Sequence, residues 1–183
     1  MVIKKESSVD DVLKSSDECK KCGKCCEKGF GFVLNHEISK MAKFMGQNET
    51  NFIRKFLEPV EVFHTSKHRT KRRKSNKDKP YGRCVFHDSK TGECKIHDAK
   101  PLYCKLGTCQ THGESLIQWY YLNFFVNPKD PSSVREWKIY ADMKEVIPGG
   151  KPQDLVGMEN LLKILNYSEL TMAPPKPKLK KKQ

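Results

Sequence analysis

The feature that most constrains this chain is the placement of its eight cysteines, Cys19, Cys22, Cys25, Cys26, Cys84, Cys94, Cys104 and Cys109. Four thiols fall within CKKCGKCC at 19–26, and the other four begin a ten-residue spacing at Cys84. Two residues between cysteines let both sulfurs face one side, so a C-x-x-C turn gathers soft donors toward one point. Gly23 lets the backbone bend and turns amide N–H groups toward the sulfurs. Lys20, Lys21, Lys24 and Lys28 favour thiolates and offset the negative charge of a thiolate-rich site. Adjacent Cys25 and Cys26 are awkward on a single metal ion. They suit two different sites, or one of them ligates while the other packs.

Compartment decides between metal and disulfide. The opening MVIKKESSVDDVLKSSDE lacks the apolar core of a secretory signal, and no run reaches the roughly 18 apolar residues of a membrane span. The expectation is a cytoplasmic protein without a membrane partner, in which clustered cysteines hold metal. All eight are candidate ligands, and thiolates suit iron–sulfur clusters and zinc alike.

The net charge of +13 is concentrated in two segments. Residues 67–79 (KHRTKRRKSNKDK) contribute +7 and the tail 173–183 (APPKPKLKKKQ) +5, so the remainder is nearly neutral. The first segment has no apolar residue and reads as a mobile basic loop, the second as a disordered Lys/Pro tail. Nucleic acid is a possible partner for residues 67–79 and 176–182 through phosphate contacts. No base-stacking aromatic lies inside either segment.

The expected fold is small α+β, mostly α-helical, with an irregular metal-stapled cysteine core, packed helices and a short hairpin. Residues 1–17 read as a flexible arm and 18–172 as one cysteine-cluster domain, helical over 114–172. Asn35 suits the cap of a helix ended by Gly46, and a second helix follows Asn48 and stops before Pro59. VEVF at 60–63 suits a short strand. ESLIQWYYLNFFV at 114–126 is long enough for a helix, and its aromatics suit core packing over the cysteine block. SSVREWKIYADMKEVI suits a helix capped by Ser132 or Ser133 and stopped by Pro148. PQDLVGMENLLKILN suits a last helix with Leu155, Met158, Leu161, Leu162 and Leu165 on one face. A small repeat, CVFHDSK at 84–90 and CKIHDAK at 94–100, is joined by the turn-rich SKTGE, so a hairpin can bring Cys84 and Cys94 together.

These motifs resemble the YkgJ-type cysteine-cluster family, the CxxCxxCC zinc- or iron-chelating domain. CKKCGKCC matches its opening, HEISKMAKFMGQNETNFIRKFL its helical segment, and CVFH, CKIH and KPLYC its later blocks. His87, His97 and Lys100 stand where the family usually has Leu, Tyr and Arg. The resemblance implies a metal centre, an iron–sulfur cluster (4Fe–4S) ahead of zinc, and no particular reaction. His87 or His97 could replace a thiolate; His97 suits a surface or hydrogen-bonded histidine better. No phosphate-cradling glycine loop or Ser/His/Asp set accompanies the cysteines. Three functions follow from such a centre: a redox enzyme or accessory subunit, a zinc-stabilised module contacting nucleic acid, or a metal-delivery factor.

Overall fold

The computed structural model describes residues 2–16, 19, 21–73, 82–106 and 112–168. In chain order these form α1 (Val9–Lys14), α2 (Lys24–Lys28), β1 (Phe32–Val33), α3 (Asn35–Phe44), α4 (Glu49–Phe56), β2 (Leu57–Val62) and β3 (Thr65–Thr70). A 3₁₀ turn (His97–Ala99) then precedes α5 (Leu102–Leu106), α6 (Gly113–Phe124), α7 (Pro131–Asp142), α8 (Pro152–Val156) and α9 (Met158–Leu165). The small, mostly helical α+β expectation holds. None of these helices is long and apolar enough to cross a membrane.

The sheet is antiparallel, ordered β1-β3-β2, and it separates two hydrophobic cores. Successive strand residues face opposite ways. Phe32 accordingly joins the core built on α6, with Trp119, Tyr120, Phe125 and Trp137. Val33 joins the other, with Met41, Phe52, Phe56, Phe86 and Ile96. Cys84 is buried in this second core, and Cys26 and Cys94 pack against it.

Local chemistry sets most helix ends. Asn48 accepts the Asn51 N–H (2.9 Å) and starts α4, as expected. Asn35 is instead the first residue of α3; the preceding Leu34 N–H is held by Glu37 Oε2 at 2.8 Å. Gly46, at φ +63, closes that helix in the left-handed region. Asp130 rather than Ser132 or Ser133 caps α7, accepting the Ser132 N–H at 2.9 Å, and α7 ends at Asp142, well before Pro148. The single last helix is two, α8 and α9, because Gly157 breaks the backbone at φ +77. The break resets the helical phase. Leu161 and Ile164 are buried, whereas Met158 and Leu162 are over half exposed, at 57% and 53%.

Two segments expected to be loose are built into the fold. The N-terminal arm carries α1, with Ile3 and Val12 buried. Trp119 Nε1 donates to the Ser7 carbonyl (2.8 Å), Asn123 Nδ2 to the Lys5 carbonyl (3.0 Å), and the Lys5 N–H to Pro148 O (3.0 Å). Two buried apolar anchors plus these hydrogen bonds outweigh the polar composition. The basic loop is contradicted over 67–70, which lie in β3, the middle strand. Pairing with β2 along the whole strand supplies the order that composition does not. Thr70 is buried there, and the Arg69 guanidinium pairs with Glu58 (2.7 Å) and covers the Phe30 ring (4.7 Å). Arg72 bridges Cys84, and the Arg73 N–H bonds Arg83 O at 2.8 Å. Residues 74–79, Cys109 and the tail 173–183 lie outside the described residues.

The expected hairpin between the two repeat units is present. His87 pairs with Cys94, the Asp88 N–H bonds Glu93 O and the Lys95 N–H bonds Phe86 O, both at 2.8 Å.

Candidate metal centre

Glycines and short backbone contacts bring the cysteine segments together. In CKKCGKCC, Gly23 turns the chain at φ +67 and α2 begins at once, which puts Cys25 and Cys26 on one helical turn. A Cβ on Gly23 would stand 1.7 Å from the Gly92 carbonyl oxygen, so only glycine allows this turn to lie against the 84–94 hairpin. The Cys84 N–H donates to the Cys26 carbonyl at 2.7 Å and ties the two groups directly. Cys104 comes from α5 on the opposite wall. Its sulfur lies 2.3 Å from where a Gly31 Cβ would be, so Gly31 makes room for it. Glu37 positions α5 from a distance, accepting the Leu102 N–H through Oε1 (2.6 Å) while Oε2 holds Leu34.

The sulfurs pack on one another. Cys25 and Cys26 Sγ are 3.9 Å apart, and the Cys26 thiol also contacts the sulfurs of Cys84 and Cys94. Hydrogen bonding from Cys26 pulls the Cys25 and Cys84 thiols down to about 6, and it lowers Cys94 as well. The Thr70 hydroxyl, 3.4 Å from Cys84 Sγ, adds to the second of these shifts. Cys26, shared among three neighbours with Cys25 first, is pushed up, and burial pushes Cys104 up. Cys25, Cys84 and Cys94 are thus held toward the thiolate form, the form that takes up metal, whereas Cys26 and Cys104 are held toward the thiol.

Two adjoining cavities meet at these sulfurs. One, about 40 Å³, is bounded by Cys19, Cys25, Cys26, Cys84, Cys94 and Cys104 among others. The second, about 130 Å³, shares Cys25, Cys26, Cys84 and Cys104 and is closed by Phe30, Gly31 and Tyr103. Of the eight expected ligands, six thus reach one place. Cys22 is exposed and borders neither cavity, and Cys109 lies outside the described residues. Because Cys26 sits in the middle of its neighbours, the sulfurs do not surround a common point. Among the described residues, no three Cys, His, Asp or Glu side chains form a ready pocket for a metal ion. The donor set nevertheless fits zinc or iron by its chemistry, several thiolates from separate segments facing one small cavity.

Residues outside the cysteine pattern complete the site. Thr70 exchanges two hydrogen bonds with Gly31, each 2.9 Å: its N–H donates to the Gly31 carbonyl and its hydroxyl oxygen accepts the Gly31 N–H, which holds the Cys104 wall to the Cys84 wall. It lay within the run of basic residues, where nothing in the sequence marked it. Lys100 borders the smaller cavity and helps lower Cys25. Glu37 had a faint signal, an acid in the first turn of a helix. His97 borders the smaller cavity and contacts Asp98 (3.5 Å) and Lys100 (3.4 Å), in keeping with a hydrogen-bonded histidine.

Residues 18–122 match the family model CxxCxxCC, described as a putative zinc- or iron-chelating domain. No curated protein and no solved structure matches the chain.

Proposed function

The chain belongs to the CxxCxxCC family of zinc- or iron-chelating domains, and on that premise we propose that its cysteine basin holds an iron–sulfur cluster of the 4Fe–4S type in a redox or accessory role. One observation carries the choice of cluster over a lone ion: six thiols border one cavity. A structural zinc site is closed by four ligands at a single point. A cluster spreads its metal ions, so its thiolates need not converge. Cys25, Cys84 and Cys94 are the sulfurs held toward the thiolate form, and Cys104 faces them from the Gly31 wall. Cys26 and Cys104, held toward the thiol, must each release a proton on ligating metal, since ligating cysteine is a thiolate. Cys19 and Cys22 are the exposed arm of the same turn, and with Cys109 they complete the candidate set. A bound cluster supplies one-electron chemistry; the protein's part is to exclude water with Phe30, Tyr103 and Phe86 and to hold the donors in place.

Contact with nucleic acid gains no support from the sheet. Arg69 is engaged by Glu58 and Phe30, and β3 commits 67–70 to strand pairing.

Purification without oxygen, followed by metal and sulfide analysis and visible absorbance, tests the reading. Brown protein containing iron and sulfide is expected. Colourless protein with stoichiometric zinc would replace the cluster with a zinc-stapled module, and readily exchanged metal would point to a delivery role. Folded protein with free thiols and no metal sinks all three.

A further inference from the structure

His87 lies beside the site, against the 19–26 turn, without a described task. Its side chain is buried, at 2% exposure, and among the described residues its Nδ1 has no hydrogen-bond partner. The backbone around it is fixed on three sides. Its N–H donates to the Cys84 carbonyl (3.0 Å), its carbonyl accepts from Arg73 Nη2 (2.7 Å), and it pairs across the hairpin with Cys94. The ring reaches the other cysteine segment: Nε2 is 3.2 Å from where a Gly23 Cβ would stand, in the turn between Cys22 and Cys25. A buried imidazole nitrogen left unpaired is unfavourable, and an apolar side chain would fill the same space at no such penalty. The nitrogen that faces the turn is Nε2, so a partner arriving when the centre is loaded would meet the ring on that side.

We propose that His87 is a positioning residue of the metal centre, donating an imidazole N–H to a metal-bound thiolate of the 19–26 turn. This rests on the metal-binding reading above. Hydrogen bonds to ligating sulfur disperse its charge and fix its orientation, and losing such an outer contact typically weakens metal binding by about 10–100-fold. Nε2 carries the proton in this role, which leaves Nδ1 as the unprotonated nitrogen of the ring.

Cd²⁺ alone serves as the probe, because its affinity can be measured by chelator competition whichever metal is native. His87→Leu, which removes the N–H, is expected to bind Cd²⁺ about 10–100-fold more weakly than wild type. The apoprotein of this variant should melt no lower than wild type, since an unpaired polar group has been removed. His87→Gln, which keeps a side-chain N–H, should restore most of the affinity. Wild-type affinity in His87→Leu overturns the proposal. If His87→Leu lowers apoprotein stability, His87→Gln decides: near-native affinity supports the N–H role, and weakened affinity sinks it. Failure of the wild-type protein to bind Cd²⁺ overturns the metal-binding reading itself, and this proposal with it.

Discussion

Gly23 and Gly46 share a left-handed backbone, at φ +67 and +63, but their surroundings differ completely. Nothing lies within 4 Å of a Cβ on Gly46, whereas one on Gly23 would overlap the Gly92 carbonyl. Gly46→Ala should therefore cost only the backbone term, about 1–2 kcal/mol. Gly23→Ala adds a clash between two backbones that neither can relieve by a rotamer change, and it pushes the 19–26 turn away from the 84–94 hairpin. Thermal unfolding of both variants checks this. A fall in Tm of about 2–8 °C is expected for Gly46→Ala, and a larger fall together with impaired metal uptake for Gly23→Ala. Equal shifts, with metal uptake intact, would show that the close approach does not matter. The bend at Gly23 was legible in CKKCGKCC because C-x-x-C turns have a local cause. The Gly92 contact and the pairing of Gly31 with Cys104 were not, because both join residues distant in the chain and leave no mark on periodicity or composition.

Among the elements, the β2–β3 hairpin shows why part of the sheet escaped the sequence. Its two turn residues, Phe63 and His64, both adopt positive φ, at 48° and 55°. A two-residue hairpin of this kind ordinarily uses Asn-Gly or Asp-Gly, and FH carries no such signal. The turn is held from outside. Phe63 is buried edge-on against Tyr121, Trp137 and Tyr140, the His64 N–H donates to Glu136 (3.0 Å), and His64 Nδ1 meets Asp130 at 2.5 Å. Tertiary contacts thus impose a conformation that local chemistry disfavours, and they carry the basic residues 67–70 into the sheet. The helices fared better, since Asn48, Gly46 and the length of the apolar run 114–126 act locally. The His64–Asp130 pair also makes a pH prediction. Asp130 raises His64 above its ordinary 6.5. Burial pushes Asp130 up, but His64 and the N–H groups of Ser132 and Ser133 outweigh it and leave the carboxyl below 3.8. The histidine's contribution is complete below pH 6.5 and is lost as pH rises through its raised value. The aspartate's is complete above 3.8 and is lost as pH falls through its lowered value. The pair thus stabilises most between those two values. Asp130→Asn keeps an N-cap for α7 but removes the charge. Chemical denaturation across pH should show the wild-type advantage over this variant widest near pH 5 and narrowing toward either side; an advantage independent of pH would exclude the pair as its source.

On the scale of the whole molecule, the two cores divide the labour. The core around α6 is sealed by aromatic packing; α1 and α7 fold against it without a cysteine, and α5 packs on it through Leu102 and Leu106 while presenting Cys104 to the metal centre. The second core holds Cys84 among its buried residues and Cys26 and Cys94 at its edge, so the thiol cluster is part of what closes it. A thiol cluster without metal is a weak closure, because sulfur hydrogen bonds are weak and Cys26 is shared among three neighbours. Metal entry replaces these weak contacts with bonds, and site formation then adds directly to the stability of whatever the ligands hold together. The effect should be uneven. Hydrogen exchange on metal-loaded and stripped protein is expected to show protection gained on loading over residues 21–34, 82–106 and the inner faces of α3 and α4. Amides of α6 and α7 should exchange alike in both states, because their hydrogen bonds open with the aromatic core and not with the cysteine basin. A uniform change across all helices would mean that the two cores open as one cooperative unit and that metal stabilises the chain globally. No change in residues 82–106 would place the metal away from Cys84, Cys94 and Cys104, which would contradict the centre described above.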